Sequence, residues 1–420
     1  MADSNPLSPD EARAELAQGF AVFLAPLLAR LRPGMDPRLL SSVREALLAI
    51  LVHPRPRQAL MLTTFAEQSE RRRPRLIHTV KRFYRLLHHP SFHAQRVRDW
   101  LLARGTQGWG DANDELVLID GSELIKPYAH HMEYLSRVPN PLHQLGGPRT
   151  MPGYWLLAAV RTTLRKGMAQ LVDWQLWSTV EPDFGSQNRI ERQFFERLVA
   201  RVGKHAVLVM DRGLGRFTLL GQLAALGARF VVRVSIQRDF AVDEEGMIHL
   251  RLLPYRLPLI YERVVYDPVQ KREVFARYGF RRVQRAGIDG ELTLVVQWLG
   301  DLEEPWLLLT NDPVHGEADA WRIVQIYWRR MEIEQTFRFL KSEVGLDSFR
   351  VREFAAIHRM VALGMVIYAF LVSLWEGGGP LVSFLCHLTR WLGLTKEKET
   401  VYKLRWGINR LLTCLPPGYG

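Results

Sequence analysis

The spacing of apolar residues changes from helical to strand-like part-way along the chain. Between residues 51 and 105, apolar side chains such as Leu76, Val80, Phe83 and Leu87 recur on one helix face, which predicts helices. From about residue 114, runs of four or more consecutive apolar residues take over, and such runs predict buried strands. The N-terminal segment is therefore expected to be helical, and the segment after it is expected to contain a sheet.

Strands and helices are predicted to alternate from residue 115 to residue 235. Strands are expected at 115–120, 154–163, 167–179, 205–211 and 229–235, and helices at 190–202 and 217–227. The second and third of these strands are joined by a short polar stretch, so we expect them to form a hairpin. Three leading strands followed by alternating helix and strand predict an α/β fold with a sheet of mixed direction.

The remaining sequence predicts a β-rich insertion and further helices. Residues 238–304 hold short strand-like stretches separated by turn sequences such as DEEG and GIDG. Residues 360–375 carry no charge, but they are fewer than the roughly 20 residues of a membrane span, so we expect a buried core helix. The predicted divisions are a helical basic segment at 1–110, a first core segment at 111–237, the β-rich insertion at 238–312, a second core segment at 313–375 and a helical tail at 376–420.

Composition and charge narrow the class of protein. The chain has 420 residues, of which 47% are hydrophobic and 24% are charged, as in ordered globular proteins. Its net charge of +12 favours a polyanionic partner, either nucleic acid or an anionic membrane. The two cysteines, Cys386 and Cys414, cannot build a disulfide framework, and the acidic N-terminus lacks the apolar core of a signal peptide. A cytoplasmic location is therefore expected.

Most of the positive charge lies between residues 51 and 105. This segment holds 12 lysines and arginines against three acidic residues, which accounts for +9 of the total. Arginine dominates, and its planar guanidinium suits phosphate. A solvated basic face is one interpretation, and a domain that contacts DNA phosphates is the other. On the second interpretation the candidate contacts are Arg71, Arg72, Arg73, Arg75, Lys81 and Arg82.

A helix predicted at 326–341 would carry four polar side chains along one strip. Tyr327, Arg330, Glu334 and Lys341 follow one another at intervals of three, four and seven residues. At 100° per residue they fall within about 60° of arc. Beside this strip lies an apolar stripe that would pack on the sheet, formed by Ile333, Phe337, Leu340 and Val344. Ordinary helical charge pairs, with Arg330 one turn before Glu334, would explain the same spacing.

Three carboxylates stand where the fold could gather them. Asp120 and Asp211 each follow an apolar run, and Glu334 projects from the polar strip. Buried carboxylates are costly unless they are paired or bind metal, and an oxygen-rich pocket of three suits two magnesium ions. The alternative is that each aspartate caps a loop or a helix. No cysteine pair has the spacing of a zinc site, so a structural zinc is not expected.

The spacing Tyr-x2-Arg-x3-Glu-x6-Lys, seen at Tyr327, Arg330, Glu334 and Lys341, resembles the signature of the insertion-sequence-4 family of bacterial DDE transposases. VLVMDRG around Asp211 is similar to that family's second-aspartate strand, and VLID at Asp120 is similar to its first. The resemblance covers roughly residues 110–375, including a β-rich insertion between the second aspartate and the glutamate.

The resemblance implies a fold and a reaction. It implies an RNase H-like mixed sheet in which Asp120, Asp211 and Glu334 form the catalytic triad and bind two Mg²⁺ or Mn²⁺ ions. A metal-activated water would cut the end of the element, and the freed 3′-hydroxyl would attack target DNA, in this branch often through a DNA hairpin. It also implies double-stranded DNA as partner (terminal inverted repeats and target), a homodimer in the synaptic complex, no membrane, and a bacterial, nucleoid-associated location.

The same resemblance implies particular DNA contacts. Trp306 precedes LLLT, where relatives carry a tryptophan that stacks on a flipped base; packing in the core is the alternative for an indole. Tyr327 would donate to a phosphate. The basic residues implied to contact DNA are Arg212, Arg233, Arg330, Arg338 and Lys341.

Two other functions fit parts of the sequence. An RNase H-like nuclease without strand transfer would need the acidic triad, but it has no need of the Tyr-Arg-Lys strip, the insertion or Trp306. An inactive, transposase-derived DNA-binding protein would tolerate the loss of an acidic residue, yet all three are present. Cut-and-paste DNA transposition is therefore the function that we predict.

Overall fold

The structure is a computed structural model that describes residues 7–69, 71, 75–108, 115–164, 169–235, 240–243, 246–267, 271–300, 304–390 and 400–413. Two of the candidate phosphate contacts, Arg72 and Arg73, and the cysteine Cys414 lie outside these residues. The helices are α1 (Pro9–Leu31), α2 (Pro37–Val52), α3 (Leu62–Glu67), α4 (Leu76–His88), α5 (Ala94–Gly105), α6 (Gln187–Val202), α7 (Phe217–Ala225), α8 (Leu253–Arg256), α9 (Glu317–Trp328), α10 (Met331–Ser342), α11 (Phe354–Gly377), α12 (Gly379–His387) and α13 (Thr400–Thr413).

The strands form one mixed sheet, as predicted. They are β1 (Glu115–Ile125), β2 (Ser136–Pro139), β3 (Thr150–Thr163), β4 (Gln170–Trp177), β5 (Val207–Met210), β6 (Arg229–Arg233), β7 (Phe240–Asp243), β8 (Gly246–His249), β9 (Tyr261–Asp267), β10 (Arg272–Arg285), β11 (Ile288–Leu299) and β12 (Trp306–Thr310). Among the described residues the order is β2-β3-β1-β5-β6-β12-β11-β10-β7-β8, with β4 on β3 and β9 on β10. β1, β5 and β6 run parallel, whereas β3 is antiparallel to β1 and to β4, which confirms the hairpin.

Each face of the sheet has its own layer of helices because alternate residues of a strand point to opposite faces. In β1, Leu116 and Leu118 join the apolar core that includes side chains of α1 to α5 and α9 to α11. Val117 and Ile119 join a second core that includes side chains of α6 and α7. The basic helical segment and α10 therefore pack on the same side of the sheet.

Residues 360–375 lie in α11, which is a central core helix. α1 and α11 are both long and apolar enough to cross a membrane by length and composition alone. In α11, 83% of the most apolar stretch is buried inside the protein, which agrees with the core helix predicted from the sequence. In α1 the corresponding share is 33%.

Two local expectations differ from the structure, and the pairing of the insertion's strands is a further finding. β1 does not end at Asp120 but runs on to Ile125, because the long partner β3 keeps pairing with it after the short β5 has ended. The single helix predicted at 326–341 is two helices, α9 and α10. The strands predicted for the insertion extend the core sheet, since β12 pairs with β6 on one side and with β11 on the other.

Candidate active site

Two adjacent parallel strands bring Asp120 and Asp211 side by side. The pairing of β1 with β5 ends at Ile119 opposite Met210, so the next residue of each chain segment is an aspartate. Counting by alternation, Asp120 faces the same way as Leu118 and Asp211 the same way as Val209, which is the face that carries α10. β5 stops at this point and the chain turns, so the carboxylate of Asp211 stands at the sheet edge.

The third acidic residue, Glu334, lies on α10, which begins after a break in the predicted helix. At the break the amide of Arg330 donates to the carbonyl of Tyr327 at 3.0 Å, and that of Ile333 donates to the carbonyl of Arg330 at 3.2 Å. These are three-residue hydrogen bonds, which tighten the backbone between α9 and α10. Tyr327 therefore belongs to α9 and Glu334 to α10, so the continuous polar strip expected from the sequence is wrong.

A polar network outside the site holds this break against β3. Arg329 donates to the Thr162 hydroxyl at 2.8 Å, and that hydroxyl donates to Glu332 at 2.9 Å. Arg329 and Glu332 also form an ion pair at 2.8 Å. The network fixes where α10 begins, and with it the position of Arg330.

Arg330 joins two of the three carboxylates. One terminal nitrogen of its guanidinium lies 3.0 Å from Oδ2 of Asp120, and the other donates to Oε1 of Glu334. The side chain of Arg330 is 11% exposed, that of Asp120 23% and that of Glu334 41%. The helical Arg330–Glu334 pair considered as an alternative thus exists, but it is part of a bridge to the sheet.

Tyr327 and two neighbours surround the remaining carboxylate. The Tyr327 hydroxyl donates to Oδ1 of Asp211 at 2.9 Å. The ring of Trp306 meets the Tyr327 ring edge-to-face, with centroids 5.1 Å apart, and the Arg233 guanidinium lies 5.6 Å from the centroid of Trp306. Trp306 is half-buried: its ring contacts Tyr327, and the side chain is partly exposed to solvent.

The two aspartates have different electrostatic environments. Burial raises the pKa of Asp120 to about 6; the charge of Arg330 opposes this, and the charges of Asp211 and Glu334 add to it. The pKa of Asp211 is lowered instead. Burial acts to raise it, but Arg330, the backbone amide of Arg212 and the Tyr327 hydroxyl together outweigh burial. At neutral pH the site therefore holds carboxylates compensated chiefly by Arg330.

The donor set fits a divalent cation, but its present spacing does not. Carboxylate oxygens are the ligands that Mg²⁺ and Mn²⁺ prefer, and the three carboxylates lie within electrostatic range of one another. In the part of the chain that the structure describes, no three His, Cys, Asp or Glu side chains are close enough together to hold one ion. Arg330 lies between Asp120 and Glu334, so an ion shared by these residues requires the guanidinium to move.

The other predicted contacts lie around this centre. Lys341, two turns along α10, lies near Asp347, and its charge acts to lower the pKa of that carboxyl, which burial raises. Arg338 is exposed on the same helix. Arg212 is half exposed, with its guanidinium 3.7 Å from Glu304. The side chains of all three stand outside the hydrogen-bonded group of Asp120, Asp211 and Glu334, although the backbone amide of Arg212 hydrogen-bonds Asp211.

The described candidates of the basic helical segment differ in whether they bind an acidic side chain, and Arg71 does so although it is 45% exposed. Arg71 and Arg82 both bind the buried carboxylate of Glu45, and Arg82 also donates to the Ser69 hydroxyl at 2.6 Å. Arg75 and Lys81 are exposed. Of the described candidates, Arg75 and Lys81 are therefore the better placed to meet a phosphate.

One contact that supports the site could not be predicted from local sequence patterns. The Arg216 guanidinium binds Glu191 on α6 and also donates to the carbonyl of Gly213 at 3.2 Å. Gly213 belongs to the turn directly after Asp211, so this pair anchors the turn to the helix layer. Glu191 and Arg216 are 25 residues apart. No local sequence pattern predicts an ion pair between residues so far apart.

Comparison with known proteins identifies a domain. Residues 172–370 match the sequence model of a family described as the transposase DDE domain. The match includes Asp211, Trp306 and the four signature positions but begins after Asp120. A cryo-EM structure of the piggyBac transposase synaptic complex with hairpin DNA resembles this chain with a TM-score of 0.48 and 12% sequence identity, over 96% of this chain and 83% of that one. The family match confirms the enzyme class expected from the sequence.

Proposed function

We propose that this chain, an enzyme with a transposase DDE domain, moves a bacterial insertion sequence by cut-and-paste transposition, and that it belongs to the insertion-sequence-4 branch. The proposed reaction has two phosphoryl transfers at one site. Water first hydrolyses the phosphodiester at the element end and leaves a 3′-hydroxyl. That hydroxyl then attacks a phosphodiester of the target DNA. On the hairpin route two further transfers intervene: the hydroxyl first attacks the opposite strand to close a hairpin, and water then reopens the hairpin to free the hydroxyl again.

One observation carries this proposal: the register of β1 on β5 sets Asp120 beside Asp211, and Arg330 ties Asp120 to Glu334. Residues 214 positions apart in sequence thus meet at one sheet edge. Asp211 and Glu334 lie inside the matched domain, and Asp120 joins them through geometry alone. An ordinary surface ion pair between Arg330 and Glu334 would not explain why a largely buried aspartate of a central strand also contacts Arg330, because burying a carboxylate is costly.

We also propose that the sheet region β4-β3-β1-β5-β6 is an RNase H-like core. Its support is the strand order, with three parallel strands, one antiparallel neighbour and helices on both faces. The divisions at residues 110, 237, 312 and 375 remain part of this proposal.

The residues of the site have separate tasks in the proposed reaction. DDE transposases generally use divalent metal ions, and Asp120, Asp211 and Glu334 would hold two Mg²⁺ or Mn²⁺ ions here. When bound, such ions neutralise charge on the phosphate and make water a better nucleophile. Arg330 and Arg233 supply positive charge for phosphate oxygens beside the carboxylates.

Trp306 and the outer basic residues would position the DNA. The accessible part of the Trp306 indole can stack on an extruded base, and Arg233 next to it can hold the adjoining phosphate. Arg212, Arg338, Lys341, Arg75 and Lys81 are proposed to contact the backbone. The partners are double-stranded DNA with the element's inverted repeats and a second copy of the chain in the synaptic complex, at the bacterial nucleoid.

A cleavage assay on DNA that flanks the gene tests the proposal. The native protein with Mg²⁺ should release a specific 3′-hydroxyl end and, on longer incubation, join it to a second duplex. Glu334→Gln should bind the duplex without cutting it. Glu273→Gln, a matched change at an exposed carboxylate of β10, should cut normally.

The alternatives give other results in the same assay. Cleavage without joining would indicate a nuclease, and specific binding without cleavage by the native protein would indicate a DNA-binding relic. Undiminished cleavage by Glu334→Gln would contradict the assignment of the acidic site.

A further inference from the structure

The Arg330 guanidinium hydrogen-bonds two of the carboxylates that, under the proposed function, bind the divalent ions. It contacts Oδ2 of Asp120 at 3.0 Å and Oε1 of Glu334, from two different nitrogens of one planar group. The fork of an arginine therefore takes one ligand oxygen from the sheet and one from α10. The guanidinium would have to leave these two oxygens before they could help to hold a divalent ion.

The surroundings make Arg330 a firmly held cation. It is 11% exposed, lies 5.9 Å from the Tyr327 ring centroid and occupies the turn between α9 and α10. The carboxylates of Asp120 and Glu334 both pair with it. A positive charge is thus fixed among the three carboxylates before any other cation enters.

DNA offers Arg330 a better partner. A phosphate presents oxygens that match the guanidinium fork in a bidentate arrangement, which is stronger than two single contacts to separate carboxylates. Glu334 is 41% exposed, so its side chain has room to turn towards the sheet once Arg330 leaves.

We propose that Arg330 and the divalent ion exchange at Asp120 and Glu334, and that a DNA phosphate drives the exchange by binding Arg330. The protein then holds metal weakly until DNA is seated. Because linkage is reciprocal, metal also strengthens DNA binding by the same factor. This proposal rests on the proposed function and adds to it a coupling between its two ligands.

Mn²⁺ binding followed by electron paramagnetic resonance tests the exchange without any reliance on activity. The probes are Mn²⁺ alone and a short duplex from the DNA that flanks the gene, at one fixed ionic strength. For the native protein, the duplex should tighten Mn²⁺ binding by about 5- to 150-fold, the usual range of coupling between two ligands. Glu334→Gln with the duplex provides the blank for ions held by DNA itself.

Two arginine variants separate the exchange from a general charge effect. Arg330→Gln should bind Mn²⁺ more tightly than the native protein in the absence of DNA, and the duplex should then add little. Arg192→Gln removes the same charge from an exposed position of α6, on the other face of the sheet, and should keep both the weak binding and the enhancement by DNA. Circular dichroism confirms that both variants are folded.

Several results would overturn the exchange. Native Mn²⁺ affinity that does not respond to the duplex would do so, as would an Arg330→Gln variant with unchanged or weaker affinity in the absence of DNA. If the native protein cuts DNA but shows either result, only the exchange fails. If the native protein neither cuts DNA nor binds Mn²⁺ beyond the blank, the proposed function itself fails.

Discussion

The carboxylate of Asp120 lies at a position where burial in the folded protein disfavours its charged form. It lies in the middle of β1, is largely buried, and shares its surroundings with the charges of Asp211 and Glu334. Burial is the main reason that its pKa rises to about 6, and Arg330 offsets this only in part. A residue selected for stability alone would not be acidic here, which is typical of a catalytic position.

Asp120→Asn should therefore stabilise the protein above neutral pH. The pKa of Asp120 is higher in the folded chain than in the unfolded one, so its favourable contribution is complete below about pH 4 and is lost as pH rises through about 6. We expect the free energy of unfolding to rise by about 1–3 kcal/mol at pH ~8 in the variant. Denaturant unfolding should show the gain at that pH and not near pH ~4. A variant less stable than the native protein at pH ~8 would contradict this.

The Tyr327 hydroxyl donates to Asp211, so Tyr327 has two candidate roles: contacting a DNA phosphate or positioning Asp211. As a phosphate donor, the role implied by the family signature, it would contribute to DNA affinity. As a positioning residue it would act through Asp211. Tyr327→Phe removes only the 2.9 Å hydrogen bond to that carboxylate. We expect end cleavage to slow by about 10- to 100-fold, the value of one hydrogen bond to a charged group.

The binding measurement distinguishes these roles. Fluorescence anisotropy with the flanking duplex should give a Kd for Tyr327→Phe that equals the native value. Weaker binding together with normal cleavage would favour the phosphate contact.

At the scale of the elements, periodicity predicted the buried side of α10 but not its beginning. Ile333, Phe337, Leu340 and Val344 are all buried, as their spacing indicated. The break before α10 was missed because it depends on Thr162, which β3 brings to Arg329 and Glu332 from more than 160 residues away. Local patterns also placed β3, β4, β5 and β6, whereas the partners of each strand follow from the folded sheet.

Thr162→Val tests the importance of the break. The change keeps the shape of the side chain but removes a buried hydroxyl that both accepts from Arg329 and donates to Glu332. We expect a loss of about 1–3 kcal/mol in the free energy of unfolding, since two charged groups lose a partner. Because the first turn of α10 would be held less firmly, Arg330 and Glu334 would be less well positioned. The cleavage rate should therefore fall by a larger factor than the affinity for the duplex. Unchanged stability and cleavage would show that the break is fixed by other contacts.

At the scale of the whole molecule, the basic helices and the acidic site share one side of the sheet. Side chains of α2, α4, β1 and α10 belong to one continuous apolar core. The charge of the sequence indicated a polyanionic partner, but it could not show which arginines are internally paired. Glu45, the partner of Arg71 and Arg82, lies on α2, before the basic segment at residues 51–105.

Lys81 and Arg82 are neighbours with opposite expected roles. Lys81→Ala should weaken binding of any duplex and lower the salt dependence of log Kd by about one unit, because one phosphate contact is lost. Arg82→Ala should instead lower the free energy of unfolding by about 1–3 kcal/mol, because Glu45 is buried and loses a charged partner. Salt titrations of duplex binding and denaturant unfolding measure the two effects. The reverse pattern would mean that the surface has been misassigned.

The most direct test of the account is end cleavage by Asp120→Asn. Asp120 lies before the segment that matches the DDE domain, and only the register of β1 on β5 and the contact with Arg330 bring it to Asp211 and Glu334. With Mg²⁺ and the flanking duplex, the folded variant should bind DNA as the native protein does. Its release of the 3′-hydroxyl end should fall by about a thousandfold, roughly 4 kcal/mol of barrier. Cleavage at the native rate would contradict the claim that these three carboxylates form one active site.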